Sequence, residues 1–119
     1  MSKADETLNS EGVVGQRLAK VQKPGGMFLV FQGRDVPVVS RITIGRDPSN
    51  TVQLDDPLAS RYHAVVQKIK NGYFIEDLNS TNGTLVNGQR VPPGQYMRLS
   101  VGDFILIGRT KLSLHQLGV

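Results

Sequence analysis

The 119-residue sequence contains no cysteine and only two histidines, His63 and His115. Without cysteine there is no disulfide framework, no thiolate metal site and no cysteine nucleophile. That composition fits a reducing, cytoplasmic setting. Two histidines are too few for an imidazole-built metal site, so neither a metal nor another cofactor is expected. No apolar run approaches the roughly 18 residues of a membrane span, and the opening MSKADETLNSEG lacks the charged-then-apolar layout of a signal peptide. Charge of one sign does not accumulate either. Fourteen Lys+Arg against ten Asp+Glu leave +4, spread along the chain and not interleaved with the seven aromatics. A nucleic-acid reader concentrates its charge and adds stacking rings, so that class is disfavoured. Mild positive charge suits a small anionic partner such as one phosphate group.

What is present is turn chemistry: thirteen glycines and six prolines. Residues 1–26 read as a flexible tail that ends in the breaker Lys23-Pro24-Gly25-Gly26, and 27–119 read as the folded domain. From Met27 onward, short β-rich runs alternate with turn signals. They are 27–32, 36–39, 41–45, 51–54, 63–70, 73–77, 84–86, 89–91, 96–99, 103–108 and 110–117. Asn71-Gly72 and Asn87-Gly88 each predict a two-residue hairpin with positive φ at both positions. With no convincing helix, the expected fold is all-β: a β-sandwich of two mainly antiparallel sheets. Phe104-Ile105-Leu106-Ile107 is apolar on both faces and is expected deep in the sheets. Leu112 and Leu114 alternate with Lys111 and Ser113, as in a half-exposed strand.

A sandwich leaves its polar function to loops at the sheet ends. Three loops stand out, at 45–50, 55–63 and 77–84. They offer two arginines, several hydroxyls and amides, and Gly83 for tight backbone. Arginine supplies a rigid fork matched to phosphate oxygens, and hydroxyls and loop N–H groups can complete the shell. No poised acid–base pair accompanies them. Asp55-Asp56 and Glu76-Asp77 look paired, but neighbouring residues diverge, and they read as solvated loop acids. Ser60 and His63 invite a hydrolase dyad. Residues three apart at a strand entry should face differently, however, and no orienting acid is assignable. No catalytic residue is expected. His115 reads as a solvent-face residue.

The ordered set Gly45-Arg46, Ser60-Arg61-Tyr62-His63, Asn79-Ser80-Thr81-Asn82-Gly83-Thr84, Asn87-Gly88 and Gly102-Asp103 resembles the forkhead-associated (FHA) domain family. The likeness spans about residues 27–117. It implies an eleven-stranded sandwich that binds phosphothreonine peptides and is not an enzyme. By resemblance, Arg46, Ser60 and Arg61 would contact the phosphate. Thr81 would lie beside the phosphothreonine, and Asn82 would bond the ligand backbone. Leu58 would set flanking-residue specificity, and Gly45, His63, Gly83 and Asn87 would hold the loops in shape. The implied partner is a phosphothreonine-containing protein, such as a Ser/Thr kinase or its substrate, with neither nucleic acid nor membrane involved. A stand-alone adaptor is expected. Thr7, after Asp5-Glu6, is a candidate tail phosphosite that could bind back to the same loops. The rival reading is a phosphate-independent scaffold or oligomerisation module using the sheet faces.

Overall fold

The computed structural model describes residues 26–116. Thr7 and the tail reading for residues 1–25 lie outside the described residues. Eleven strands follow in chain order: β1 Met27–Phe31, β2 Arg34–Pro37, β3 Arg41–Gly45, β4 Val52–Gln53, β5 Ala64–Ile69, β6 Gly72–Asp77, β7 Thr84–Val86, β8 Gln89–Arg90, β9 Tyr96–Leu99, β10 Phe104–Ile107 and β11 Thr110–Gln116. They form a five-stranded sheet in the order β9-β6-β5-β3-β4 and a six-stranded sheet in the order β2-β1-β11-β10-β7-β8. The β3–β4 pair is parallel. No helix occurs among the described residues, so none there could cross a membrane.

Strand alternation builds the core. Ile42, Ile44, Ala64, Val66, Ile75 and Leu99 of the first sheet are buried with Leu29, Phe31, Val86, Ile105, Ile107, Leu112 and Leu114 of the second. Most intervening positions are half-buried or exposed, Val65 being a buried exception, and edge strands β4 and β8 are only two residues long, which limits unpaired edge. On β11, Leu112 and Leu114 are buried while Lys111 is exposed, as its alternation predicts. On β10 the expectation of burial on both faces fails. Phe104 is 40% exposed, and the Lys111 ammonium lies 4.5 Å above its ring. Among the described residues no third layer covers the outer face of this sheet.

Of the two Asn-Gly turns, one falls where the sequence puts it. Asn87 and Gly88 have φ of 51° and 83°, with Val86 paired to Gln89. The other turn is displaced by one residue. Ile69 pairs with Gly72, so the loop is Lys70-Asn71, with Lys70 at φ 55°. A turn one position later would set Lys68 opposite Ile75 and Val66 opposite Asp77. The observed register instead joins Val66 to Ile75, both fully buried. Core pairing outweighs turn preference. Gly72 keeps a role inside β6, since a Cβ there would lie 2.8 Å from the Phe74 ring. A further hairpin, Gln32-Gly33 with φ of 50° and 76°, joins β1 to β2 and starts the second strand at Arg34, not at residue 36.

Candidate functional site

Four strand ends meet at one end of the sandwich. Strands β3 and β4 are parallel and finish there together. Antiparallel pairing sets Ile44 opposite Ala64 and Ala64 opposite Asp77, which brings the start of β5 and the finish of β6 alongside. The three loops singled out from the sequence therefore share that end.

Backbone bonds lock the first two loops together. Arg46 N–H donates to the Ser60 carbonyl at 3.0 Å, Asp47 N–H to that of Arg61 at 3.1 Å, and His63 N–H to that of Ile44 at 2.9 Å. Gly45 lies beneath this crossing. A Cβ there would run into the Arg61 carbonyl and sit 2.9 Å from the Asn50 amide nitrogen, so the close approach requires glycine. Asn50 is buried, and its Nδ2 donates at 2.8 Å to the carbonyls of both Asp47 and Arg61.

His63 is wholly buried. Its Nδ1 accepts from Ser60 N–H, and its Nε2 faces the Gly83 carbonyl, each at 2.9 Å. Acceptance at Nδ1 puts the ring proton on Nε2, from which it donates to Gly83. The ring thus turns back onto the backbone of Ser60, not to a different face as its spacing suggests. Both nitrogens are occupied by main chain, and the Ser60 hydroxyl has no base.

The acids at 56 and 77 are not solvated, contrary to their reading as exposed loop residues. Asp56 is 4% exposed and accepts from Leu58 N–H, Arg109 N–H and the Thr110 hydroxyl. It ties the 55–63 loop to the β10–β11 turn. Asp77 is fully buried and accepts from Ser80 N–H and from the Ser80 and Thr84 hydroxyls. For both, burial alone would raise the carboxyl pKa, but these bonds outweigh it and hold each below the ordinary carboxylate value. An acid with a depressed folded pKa stabilises the fold fully above its unfolded pKa, about 4, and loses that contribution as pH falls through the folded value. The melting temperature is therefore expected to decline steeply only in acid below about pH 4. Asp56→Asn should flatten that decline, and an equally steep fall in the variant would refute the assignment.

Above this buried frame stand the exposed groups. Arg46 Nε donates to the Ala59 carbonyl at 3.0 Å, which fixes the guanidinium plane and leaves its terminal nitrogens toward solvent. Ser60 Oγ accepts from Thr81 N–H at 3.0 Å, which anchors the oxygen and leaves its own proton available to a ligand. Asn82 Nδ2 donates to the Leu58 carbonyl at 2.9 Å and keeps its Oδ1 as an acceptor. Leu58 is 40% exposed at this rim. Arg61 is 3.8 Å from Asp47 with its side chain 69% exposed. The Asp47 carboxyl is held below its usual range by the Ser49 hydroxyl and N–H, then by Tyr62 and Arg61. Asn87 stands apart from these groups. It donates to Asp103 Oδ1 and accepts from Phe104 N–H, pinning the β7–β8 turn to the start of β10.

Gly83 has φ +87° and a virtual Cβ 3.2 Å from the Arg90 guanidinium. Gly83→Val is expected to cost about 1–3 kcal/mol in backbone strain. Asn82→Ala, which removes one exposed bond, should leave the melting temperature nearly unchanged. Equal losses in a melting scan would make Asn82 a structural turn residue. Asp47, Asn50, Asp56, Asp77 and Ser80 were not singled out as site builders. The local signals among them are acids that receive a nearby N–H: Asp47 from Ser49 and Asp56 from Leu58, two residues on, and Asp77 from Ser80, three residues on.

Comparison with known proteins agrees with the all-β fold. The FHA domain family model matches residues 42–108. The chain is 35% identical over 114 residues to kanadaptin of Homo sapiens, which covers 87% of this chain and 13% of that protein. It thus spans a small part of that relative's length. One similar solved structure comes from a structural and functional analysis of phosphothreonine-dependent FHA domain interactions. Its TM-score is 0.71 at 28% identity, covering 79% of this chain and 99% of that one. Another is Mycobacterium tuberculosis EmbR in complex with a low affinity phosphopeptide, with a TM-score of 0.70 at 31% identity over 76% of this chain and 24% of that one.

Proposed function

This chain belongs to the forkhead-associated domain family, and on that footing we propose that it is a non-enzymatic adaptor that binds phosphothreonine peptides at the loop end of the sandwich. The phosphate sits among Arg46, Ser60 and Arg61, with Thr81 beside the phosphothreonine and Asn82 on the ligand backbone. The observation that carries the reading is the pairing of a Ser60 hydroxyl whose oxygen is anchored by Thr81 N–H with an Arg46 guanidinium held by the Ala59 carbonyl. Such preset donors suit an anion of about −1.5 to −2 charge with strong acceptor oxygens. The same geometry supports a binding role over a Ser60/His63 hydrolase, because the His63 nitrogens are committed to Ser60 N–H and the Gly83 carbonyl. The partner is a protein phosphorylated by a Ser/Thr kinase, or that kinase itself.

The test is calorimetric titration of the full chain with one peptide in its phosphothreonine and unmodified forms. Binding of the phosphorylated form alone is expected. Equal binding of both forms would overturn the reading and favour a phosphate-independent scaffold.

A further inference from the structure

Beside the loop cluster lies a cavity of about 520 Å³ lined by Gln32, Arg34, Arg46, Gln53, Leu54 and Asp55. Arg46 belongs both to this cavity and to the proposed phosphate site, so the two are contiguous. The neighbours of Arg46 in the cavity come from the β1–β2 hairpin and from the end of β4 with the residues after it, and of these only Asp55 stands out in the sequence, as a solvated loop acid.

We propose, resting on the phosphothreonine reading above, that this cavity is a second subsite which selects an acidic side chain on the same ligand, with Arg34 as the residue that reads it. Arg34 opens β2, directly after the Gln32-Gly33 turn, and pairs with Phe31 across the hairpin. Its guanidinium carbon lies 5.2 Å above the Phe31 ring, and Phe31 is itself buried. The cation–π contact holds the fork at the cavity wall, so less side-chain freedom is lost when it meets a carboxylate. Gln53 is part of the rigid wall, since its Nε2 donates to the Arg46 carbonyl at 3.3 Å. Leu54, also buried, gives the cavity an apolar element against which the methylene of an acidic residue can pack. Two guanidinium residues face one carboxylate residue, Asp55. The balance favours an anion, and Asp55 tempers it.

The size of the cavity limits the reach. A space of this volume is roughly 8 Å across, which an extended peptide covers in two to three residues at about 3.3 Å each. The acidic side chain therefore lies two or three positions from the phosphothreonine.

The experiment walks a single aspartate through the four positions on either side of the phosphothreonine in an otherwise neutral peptide. Affinity for each peptide is measured by calorimetry with the wild-type chain, Arg34→Gln and Asp55→Asn. The expected result is one position at which aspartate tightens wild-type binding about fivefold, the size of a well-placed exposed ion pair. That gain should vanish in Arg34→Gln and grow in Asp55→Asn, while the neutral phosphopeptide binds all three proteins alike. Because aspartate is moved on the peptide, the wild-type comparison does not depend on how any variant folds. If wild type binds all the phosphopeptides with equal affinity, the second subsite is wrong and the phosphothreonine reading stands. If a gain appears but survives in Arg34→Gln, another residue reads the acid and the assignment of Arg34 falls. If no phosphopeptide binds more tightly than its unmodified form, the primary reading fails and this inference fails with it.

Discussion

Arg46→Ala is expected to weaken phosphothreonine-peptide binding by 30-fold or more while leaving the fold intact. The two halves of that expectation have separate sources. Arg46 contributes to the fold mainly through its backbone N–H on the Ser60 carbonyl, which alanine retains. Its side chain gives the fold one bond, from Nε to the Ala59 carbonyl. In a complex the same side chain would lie against a dianionic phosphate, and truncating one partner of a hydrogen-bonded charge pair at an interface costs about 2–5 kcal/mol. At about 1.4 kcal/mol per decade, the lower bound is already near 30-fold. Ser60→Ala should lose less, since it removes one neutral donor and the acceptor of Thr81 N–H. Arg61→Ala should lose least. Its guanidinium is largely exposed and already drawn toward Asp47, so water and that carboxylate screen it. Calorimetry on the three variants checks the ranking. An Arg46→Ala affinity within threefold of wild type would remove that residue from the phosphate site.

The features legible in the sequence are those whose cause is local or periodic. Asn87-Gly88 makes its hairpin because both positions need positive φ, and the dipeptide itself supplies that freedom. Leu112 and Leu114 are buried because alternation alone sets their face. That the three polar loops share one end was also readable in outline, because each is bracketed by strands of one sandwich. What escaped depends on contacts between distant segments. Asp56 looks like an ordinary turn acid, yet its partner Arg109 lies fifty-three positions away, and nothing near Asp56 announces that bond. Asn50 reads as one more loop amide, but it holds the carbonyls of Asp47 and Arg61 together because two loops cross there. The Asn71-Gly72 turn moved for a similar reason. The partner strand decided the register, and the core pair of Val66 and Ile75 prevailed over the dipeptide's preference. The shared cavity of Arg34 and Arg46 was not legible because the two residues belong to different strand ends.

The buried acid at the heart of the site carries the largest expected loss of stability. Asp77→Ala should lower the unfolding free energy by about 3–5 kcal/mol, because it strands several buried donors at once. The carboxylate accepts three bonds, from Ser80 N–H at 2.9 Å, the Ser80 hydroxyl at 2.6 Å and the Thr84 hydroxyl at 2.7 Å. Alanine leaves these donors inside the protein, where each unmet group costs about 1–3 kcal/mol. Against a total stability of roughly 5–15 kcal/mol for a domain of this size, the variant is marginal. Asp77→Asn is milder in stability and more telling for function. It keeps one acceptor oxygen but presents an NH2 group where a hydroxyl now donates. Ser80 Oγ also accepts from Gly83 N–H at 2.9 Å, so a rotated Ser80 would disturb the turn at 80–83. Thr81 lies within that turn, and its N–H is what anchors the Ser60 hydroxyl oxygen. Asp77→Asn is therefore expected to remain folded yet bind a phosphothreonine peptide several-fold more weakly, although residue 77 is too deeply buried to touch the ligand. Urea denaturation and calorimetry on the same samples separate the two effects. If Asp77→Ala unfolds within 1 kcal/mol of wild type, the network does not hold the loop. If Asp77→Asn binds as tightly as wild type, the buried acid sustains the fold without shaping the site.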